Sequence, residues 1–114
     1  MNGAGDLKTR WLDYLAHERR ASPLTCRAYG DDCTRFLDFL RGHLGGAVNE
    51  RRLAALKPAD VRAFITARRA EGLGAGGVQR ALASIRSFFR FLAREGILEN
   101  AAAKSIRTPR IKRA

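Results

Sequence analysis

The segment from Gly76 to Gly96, GGVQRALASIRSFFRFLAREG, repeats apolar and basic residues at the period of an α-helix. At about 100° per residue, its large apolar side chains fall in one arc and its polar and basic side chains in a nearly opposite arc. The apolar arc contains Val78, Leu82, Ile85, Phe88, Phe89 and Leu92, and the other contains Gln79, Ala83, Arg86, Arg90 and Arg94, with Arg80 and Ser87 at its border. The pattern predicts an amphipathic helix over 75–95. Gly96 is its expected end, because glycine readily adopts the left-handed conformation.

The same period predicts three further long helices, and no segment alternates as a β-strand does. The first helix is expected over Asp6–Arg20. The second begins after the N-cap Ser22, with Pro23 at its first position, and continues to about His43. The third lies between Pro58 and Gly72, and shorter helical turns are expected at 49–56, capped by Asn49, and within 97–106. Their expected core residues are Leu7, Trp11, Tyr14, Leu15, Cys26, Tyr29, Cys33, Phe36, Leu37, Leu40, Val61, Phe64 and Ile65.

These elements predict a single all-α domain of four main helices with a short extra helical turn and a basic C-terminal tail. The length of 114 residues fits one domain, and 46% hydrophobic residues are enough to build a core. The expected domain spans 1–106, and 107–114 is expected to be the start of a linker. Gly30 lies inside the second helix, where glycine is costly, and this favours a close helix crossing.

The net charge of +11 indicates an anionic partner. Eighteen of the 22 basic residues are arginine, whose planar guanidinium suits phosphate groups and guanine. Double-stranded DNA is therefore the expected partner. The alternative is a generic basic surface, in which arginine replaces lysine through the codon bias of a GC-rich genome.

The two cysteines predict neither a disulfide nor a metal site. Cys26 and Cys33 are two helical turns apart, roughly 10 Å, which is too far for a disulfide. His17 and His43 do not have zinc spacing with them, so we expect no metal and no cofactor. Since no apolar stretch approaches the roughly 20 residues of a membrane span, we expect a cytoplasmic protein with no membrane contact.

Three basic clusters are candidate DNA contacts. The first lies at the start of the second helix, where free backbone N–H groups attract phosphate: Ser22, Thr25 and Arg27, preceded by Arg19 and Arg20. The second is on the fourth long helix, a structure of the right width for a major groove: Gln79, Arg80, Arg86, Ser87 and Arg90. The third is the tail, expected to be mobile from Arg107 onward and to follow DNA phosphates: Lys104, Arg107, Arg110, Lys112 and Arg113.

One motif points toward catalysis but is expected to be structural. His17 and Arg20 have the H-x-x-R spacing of a tyrosine recombinase centre, with Tyr29 downstream. Tyr29 lies on the core stripe of the second helix, so packing is its expected role, and we predict no catalytic residues.

Two segments resemble the start of Xer-type tyrosine recombinases and phage integrases. The first, LDYLAHERRASPLTCRAYGDDCTRFLDFL, is similar to the family pattern S-x-x-T-x-x-x-Y-x-x-D-L-x-x-F, with Cys33 in place of the leucine. It matches at Ser22, Thr25, Tyr29, Asp32 and Phe36, and R-x-L-x-x-x-R-x-F-x-x-F-L matches at Arg80, Leu82, Arg86, Phe88, Phe91 and Leu92. The following ENAAAKSIRTPR resembles the family's N-P-A and linker, with Ala101 in place of proline.

The resemblance implies a SAM-like, core-binding four-helix domain that forms half of a clamp around duplex DNA. Its second and fourth long helices would lie toward the major groove. The family's catalytic residues belong to a second domain absent from these 114 residues, so we expect no strand cleavage by this chain alone and a monomeric free domain. A full-length parent would cleave and rejoin DNA in a tetramer of recombinase protomers, during chromosome-dimer resolution or mobile-element integration. The competing hypothesis is a helical protein–protein adaptor with a basic docking face.

Overall fold

The computed structural model describes residues 3–108, which form five α-helices and one 3₁₀ helix. The helices are α1 Ala4–His17, α2 Pro23–Leu44, α3 Glu50–Ala54, α4 Pro58–Ala70 and α5 Ala75–Arg94, followed by the 3₁₀ helix Ala102–Ser105. Within 3–108 there is no β-strand, only an isolated bridge between Gly3 and Asn49. The predicted all-α class and the four main helices, α1, α2, α4 and α5, are therefore confirmed.

The predicted helix ends follow from their capping residues. The Ser22 side chain accepts a hydrogen bond from the backbone N–H of Thr25 at 3.1 Å, and Asn49 accepts one from Arg52 at 3.0 Å. After α4 and α5 the chain turns at Gly72 and Gly96, with φ angles of 102° and 70°. Glycine adopts these left-handed angles without a steric penalty.

The predicted end of the first helix is wrong by three residues. Helix α1 ends at His17 rather than at Arg20, because Arg20 itself has a left-handed φ of 52°. The backbone N–H of Arg19 bonds to the Tyr14 carbonyl and that of Ala21 to the Leu15 carbonyl, which close the helix end. This turn uses an arginine where glycine is usual, so no sequence signal marked it.

The core lies between α5 and the helices α1, α2 and α4 that pack around it. Trp11 of α1 is fully buried, with its ring centroid 5.3 Å from that of Phe88 on α5 and 6.2 Å from that of Tyr29 on α2. Phe36 of α2 meets Phe64 of α4 edge-on at 5.2 Å. Aromatic pairs in these arrangements are stabilising beyond the area they bury, and they join all four main helices.

Gly30 marks the close crossing of α1 and α2. A Cβ atom at this position would lie 3.3 Å from Cδ1 of Leu12, tighter than ordinary van der Waals contact. The crossing predicted from the glycine is thus confirmed. It brings the first turn of α2 close to the end of α1, where the basic residues are.

Neither cysteine forms a disulfide. Cys33 is fully buried, and burial raises the pKa of its thiol to about 12, so it stays protonated and packs as a small apolar group. No helix within the described part of the chain is long and apolar enough to cross a membrane.

Candidate nucleic-acid interface

A groove of about 910 Å³ opens between the end of α1, the first turns of α2, the C-terminal half of α5 and the segment 99–104. Tyr14, Tyr29 and Phe91 provide part of its wall. Five basic side chains line it, against the single acid Glu99: Arg19, Arg86, Arg90, Arg94 and Lys104. A basic groove with partly apolar walls concentrates positive potential, as an anionic ligand requires.

The first turn of α2 reaches this groove through Thr25. The Ser22 hydroxyl donates to Oγ1 of Thr25 at 2.9 Å while it accepts the Thr25 backbone N–H. The first turn of α2 contains no acid. The positive end of the helix dipole is therefore unneutralised beside the groove, an arrangement that favours an anion.

Arg90 and Lys104 are the two predicted contacts with the most accessible charge in the groove. Both side chains are exposed, and among residues 3–108 no acid lies within ion-pair distance of either. Arg94, one turn beyond Arg90, differs, because its guanidinium contacts Glu18 at 3.4 Å and lies 4.6 Å above the Tyr14 ring. The groove thus contains both acid-paired and acid-free arginines.

Ser87 also lines the groove, but it has a partner inside the domain. Its hydroxyl accepts a hydrogen bond from Nε1 of Trp11 at 3.1 Å. A buried indole N–H needs such an acceptor. Ser87 therefore joins α1 to α5 in addition to facing the groove.

Arg86 is tied to the C-terminal segment. Its Nε donates to the Ala103 carbonyl at 3.0 Å, its Nη1 to Oγ1 of Thr108 at 2.9 Å, and its Nη2 to the Ile106 carbonyl. Arginine has five N–H donors, and these bonds use three of them. The partners are not acids, so the charge of Arg86 still contributes to the groove.

Arg80 lies outside the groove and forms a two-pronged ion pair with Asp32 of α2. Its Nε is 2.9 Å from Oδ2 and its Nη2 is 3.2 Å from Oδ1 of the carboxylate. Asp32 is only 2% exposed, whereas the Arg80 side chain is 50% exposed. The hydrogen bonds to Asp32 raise the pKa of Arg80 above its ordinary value. This pair was not anticipated from the sequence, although Asp32 lies on the apolar stripe of α2 between Tyr29 and Phe36, where an acid requires a partner.

The remaining predicted contacts do not gather in the groove. Arg27 is exposed on α2 but does not line it, and Gln79 is half-buried near the start of α5. Arg107 is exposed. Arg110, Lys112 and Arg113 lie outside the described residues, as does most of the predicted mobile tail. Thr108 belongs to that tail, and its hydrogen bond to Arg86 is a contact that the sequence did not suggest.

Asn100 is a further residue that sequence reasoning missed. Its Nδ2 lies 2.9 Å from the carbonyls of Leu53 and Leu56 and 3.1 Å from that of Ala54, and its Oδ1 accepts the Ala102 N–H at 2.7 Å. One side chain thereby satisfies the carbonyl end of α3 and begins the 3₁₀ helix. The family pattern N-P-A placed an asparagine here and was the only available signal.

The H-x-x-R motif does not form a catalytic arrangement in the structure. His17 ends α1 with an exposed side chain, Arg20 is exposed in the following turn, and Tyr29 packs on Trp11. In the described range 3–108, no group of three or more His, Cys, Asp or Glu side chains is placed to hold a metal ion.

The profile of the family "Phage integrase, N-terminal SAM-like domain" matches residues 9–96 of this chain. Curated proteins named tyrosine recombinase XerC are similar over nearly its whole length. The Bradyrhizobium diazoefficiens protein is 48% identical over 93% of this chain and 33% of its own length, and the Mesorhizobium japonicum protein is 50% identical over 88% and 32%. The Methylobacterium sp. (strain 4-46) protein is 46% identical over 97% of this chain and 35% of its own. The chain thus spans about a third of the length of these relatives, and no solved structure matches it.

Proposed function

The chain belongs to the phage integrase N-terminal SAM-like domain family, and from this premise we propose that it is the DNA-binding domain of a tyrosine recombinase. The groove would take the phosphate backbone of duplex DNA. The observation that supports this most directly is the groove's composition, five basic side chains against one acid. Such an excess of positive charge at one concave surface is what a polyanion needs.

The residues divide between two kinds of proposed contact. Arg90 and Lys104 would pair with phosphates as exposed charges, and the N–H groups at the start of α2, near Thr25, would donate hydrogen bonds to a phosphate oxygen. Gln79, Arg80 and Arg27 lie outside the groove and would contact DNA only where the duplex extends beyond it. Arg107 and the residues after it would follow the backbone.

The activity of a longer protein is a separate proposal. Relatives named tyrosine recombinase are about three times as long as this chain, so strand cleavage and rejoining would require a further domain, and pairing with other protomers would build the synapse. This chain would then supply binding and positioning alone. No residue of the groove is proposed as a nucleophile.

Titration of a labelled duplex at several salt concentrations tests the proposal. Between about 0.05 and 0.2 M NaCl we expect log K to fall linearly with log salt, with a slope near −0.9 for each phosphate contact. An acidic polypeptide of matched charge is the control. A slope near zero, or equal affinity for the acidic polypeptide, would favour a basic docking face for a protein partner instead.

A further inference from the structure

Arg86 differs from the other basic residues of the groove in its hydrogen-bond acceptors. All three of its hydrogen-bond acceptors, the Ala103 and Ile106 carbonyls and the Thr108 hydroxyl, belong to one six-residue stretch. The Ala103 carbonyl lies within the 3₁₀ helix and also accepts the Ile106 N–H at 3.4 Å, and the Ile106 carbonyl follows the end of that helix. The Arg86 guanidinium lies beside both carbonyls, where a cation is favourable.

The segment 100–108, which contains this stretch, has two other attachments to the helical body. Asn100 fixes its beginning to the end of α3. In its middle, Ala102 and Ile106 are buried in a small apolar cluster with Val61, Val78 and Leu82. After Ile106 the Arg86 bond to Thr108 is the last described attachment, so this side chain determines how the backbone leaves the domain.

The departing segment is also one wall of the groove. Ala101, Ala103 and Lys104 line it together with Arg86 itself. The segment therefore borders the basic groove as far as Lys104. Its direction there is set by a guanidinium whose three donors match three acceptors in fixed positions, which a lysine ammonium reproduces poorly.

We propose that Arg86 is a positioning residue that fixes the direction in which the chain leaves the helical domain at the groove edge. The attachment itself is independent of the proposed function. Its consequence, that Arg107 and Thr108 are held beside bound DNA, rests on that function. This assignment differs from the sequence-based prediction that Arg86 is a DNA contact, and the two hypotheses predict different behaviour of the free domain when Arg86 is replaced.

The test compares Arg86→Gln with Arg90→Gln, a matched change one turn further along α5. In the free domain, spin labels at Ala16→Cys and Arg107→Cys, both exposed positions, report the position of the exit segment. The labels are placed in a Cys26→Ser background, since Cys33 is buried and stays protonated. We expect Arg86→Gln to broaden the distance distribution and Arg90→Gln to leave it unchanged. Amide exchange at Ile106 should become about ten-fold faster in Arg86→Gln only.

DNA titration of the same variants separates positioning from contact. Arg90→Gln should reduce the magnitude of the salt slope by about one, and Arg86→Gln should reduce it by clearly less. If Arg86→Gln reduces the slope by one and leaves the distances and the Ile106 exchange as in the parent, Arg86 is a DNA contact and the proposal is wrong. If the parent does not bind DNA, the proposed function fails. The distances between the spin labels and the amide exchange of Ile106 then still show whether Arg86 holds the C-terminal segment.

Two milder variants keep the test valid if Arg86→Gln does not fold. Thr108→Val removes one of the three acceptors, and Arg86→Lys retains the charge without the planar geometry. Each should broaden the distance distribution relative to that of the parent and leave the unfolding midpoint close to that of the parent. Unchanged distributions in both variants would overturn the proposal.

Discussion

Two regions of this domain are rich in charged residues, and their arginines have different partners. Along α2 from Asp32 to His43, and on the residues of α4 and α5 that face it, four basic groups are paired with acids, whereas the exposed Arg35 has no acid within ion-pair distance among the described residues; we call the region of these four pairs the paired surface. Its pairs are Asp32–Arg80, Asp38–Arg41, His43–Asp60 and Arg68–Glu71. In the groove, Arg94 is paired with Glu18, but Arg86 is bonded to neutral carbonyls and a hydroxyl, and Arg90 has no acid within ion-pair distance among the described residues.

The difference separates charges that support the fold from charges available to a ligand. An arginine paired with a carboxylate contributes little net potential, because the two charges cancel at a distance. An arginine bonded to neutral groups, or to none, keeps its full charge. Among the described residues, the groove therefore has more uncompensated positive charge than the paired surface.

The largest expected effect is the loss of stability on removal of Arg80. Arg80→Ala leaves the Asp32 carboxylate, 2% exposed, without its ion-pair partner. Breaking a fully buried pair costs about 3–5 kcal/mol, and the half-exposed Arg80 reduces the expected loss to about 2–3 kcal/mol. Urea unfolding measures it.

The matched control for this change is in the groove. Arg90→Ala should change the free energy of unfolding by less than about 0.5 kcal/mol, since an exposed arginine without an acid partner supports no fold contact. Equal losses in the two variants would remove the distinction between the two regions.

The helices and the core could be predicted from the sequence, because both depend on the helical repeat of apolar residues, which is a local pattern. The arcs of α5 and the caps at Ser22 and Asn49 predicted helix positions to within a few residues, since each signal lies inside the element it defines. The end of α1 at His17 was not predicted, because Arg20 occupies the left-handed position where glycine is usual.

The ion-pair and hydrogen-bond partners of the charged side chains could not be predicted from the sequence. Asp32 and Arg80 are 48 residues apart, and helical period predicts which face a residue occupies but not what lies opposite. The acceptors of Arg86 are backbone atoms, which every residue possesses and no sequence pattern marks. For this reason Arg80, at the border of the predicted basic arc, and Arg86, within it, were both predicted as DNA contacts, although Arg80 pairs with an acid and Arg86 bonds to the C-terminal segment.

The second prediction compares two exposed lysines, one on the groove wall and one at the start of α4. Lys104→Gln should weaken binding to duplex DNA about five-fold near 0.15 M salt and reduce the magnitude of the salt slope by about one, as expected for one lost phosphate contact. Lys57→Gln should leave both quantities unchanged, because Lys57 lies outside the groove. Fluorescence anisotropy with a labelled duplex measures both variants. An equal loss in the two would indicate that only net charge matters and not the groove.

The smallest expected effect is a pH dependence confined to the paired surface. Asp60 accepts a hydrogen bond from the Lys57 backbone N–H at 2.8 Å and lies 2.9 Å from Nε2 of His43. The backbone hydrogen bond is the main cause that lowers the pKa of Asp60 below its ordinary value, and His43 adds to it. A carboxyl with a lowered folded-state pKa stabilises the fold above its unfolded pKa, near 4, and loses this contribution as pH falls through the folded pKa.

Because both partners of this pair are partly exposed, we expect a contribution below about 1 kcal/mol. Asp60→Asn keeps an acceptor for the Lys57 N–H but has no charge to lose. Urea unfolding of the parent and the variant at neutral pH and again below pH 4 isolates the effect, since the other carboxyls titrate alike in both proteins. The parent should be more stable than the variant at neutral pH, and the difference should shrink in acid. If the difference in free energy of unfolding is the same at both pH values, Asp60 acts through its shape and not its charge. The His43–Asp60 pair would then no longer count among the ion pairs that distinguish the paired surface from the groove.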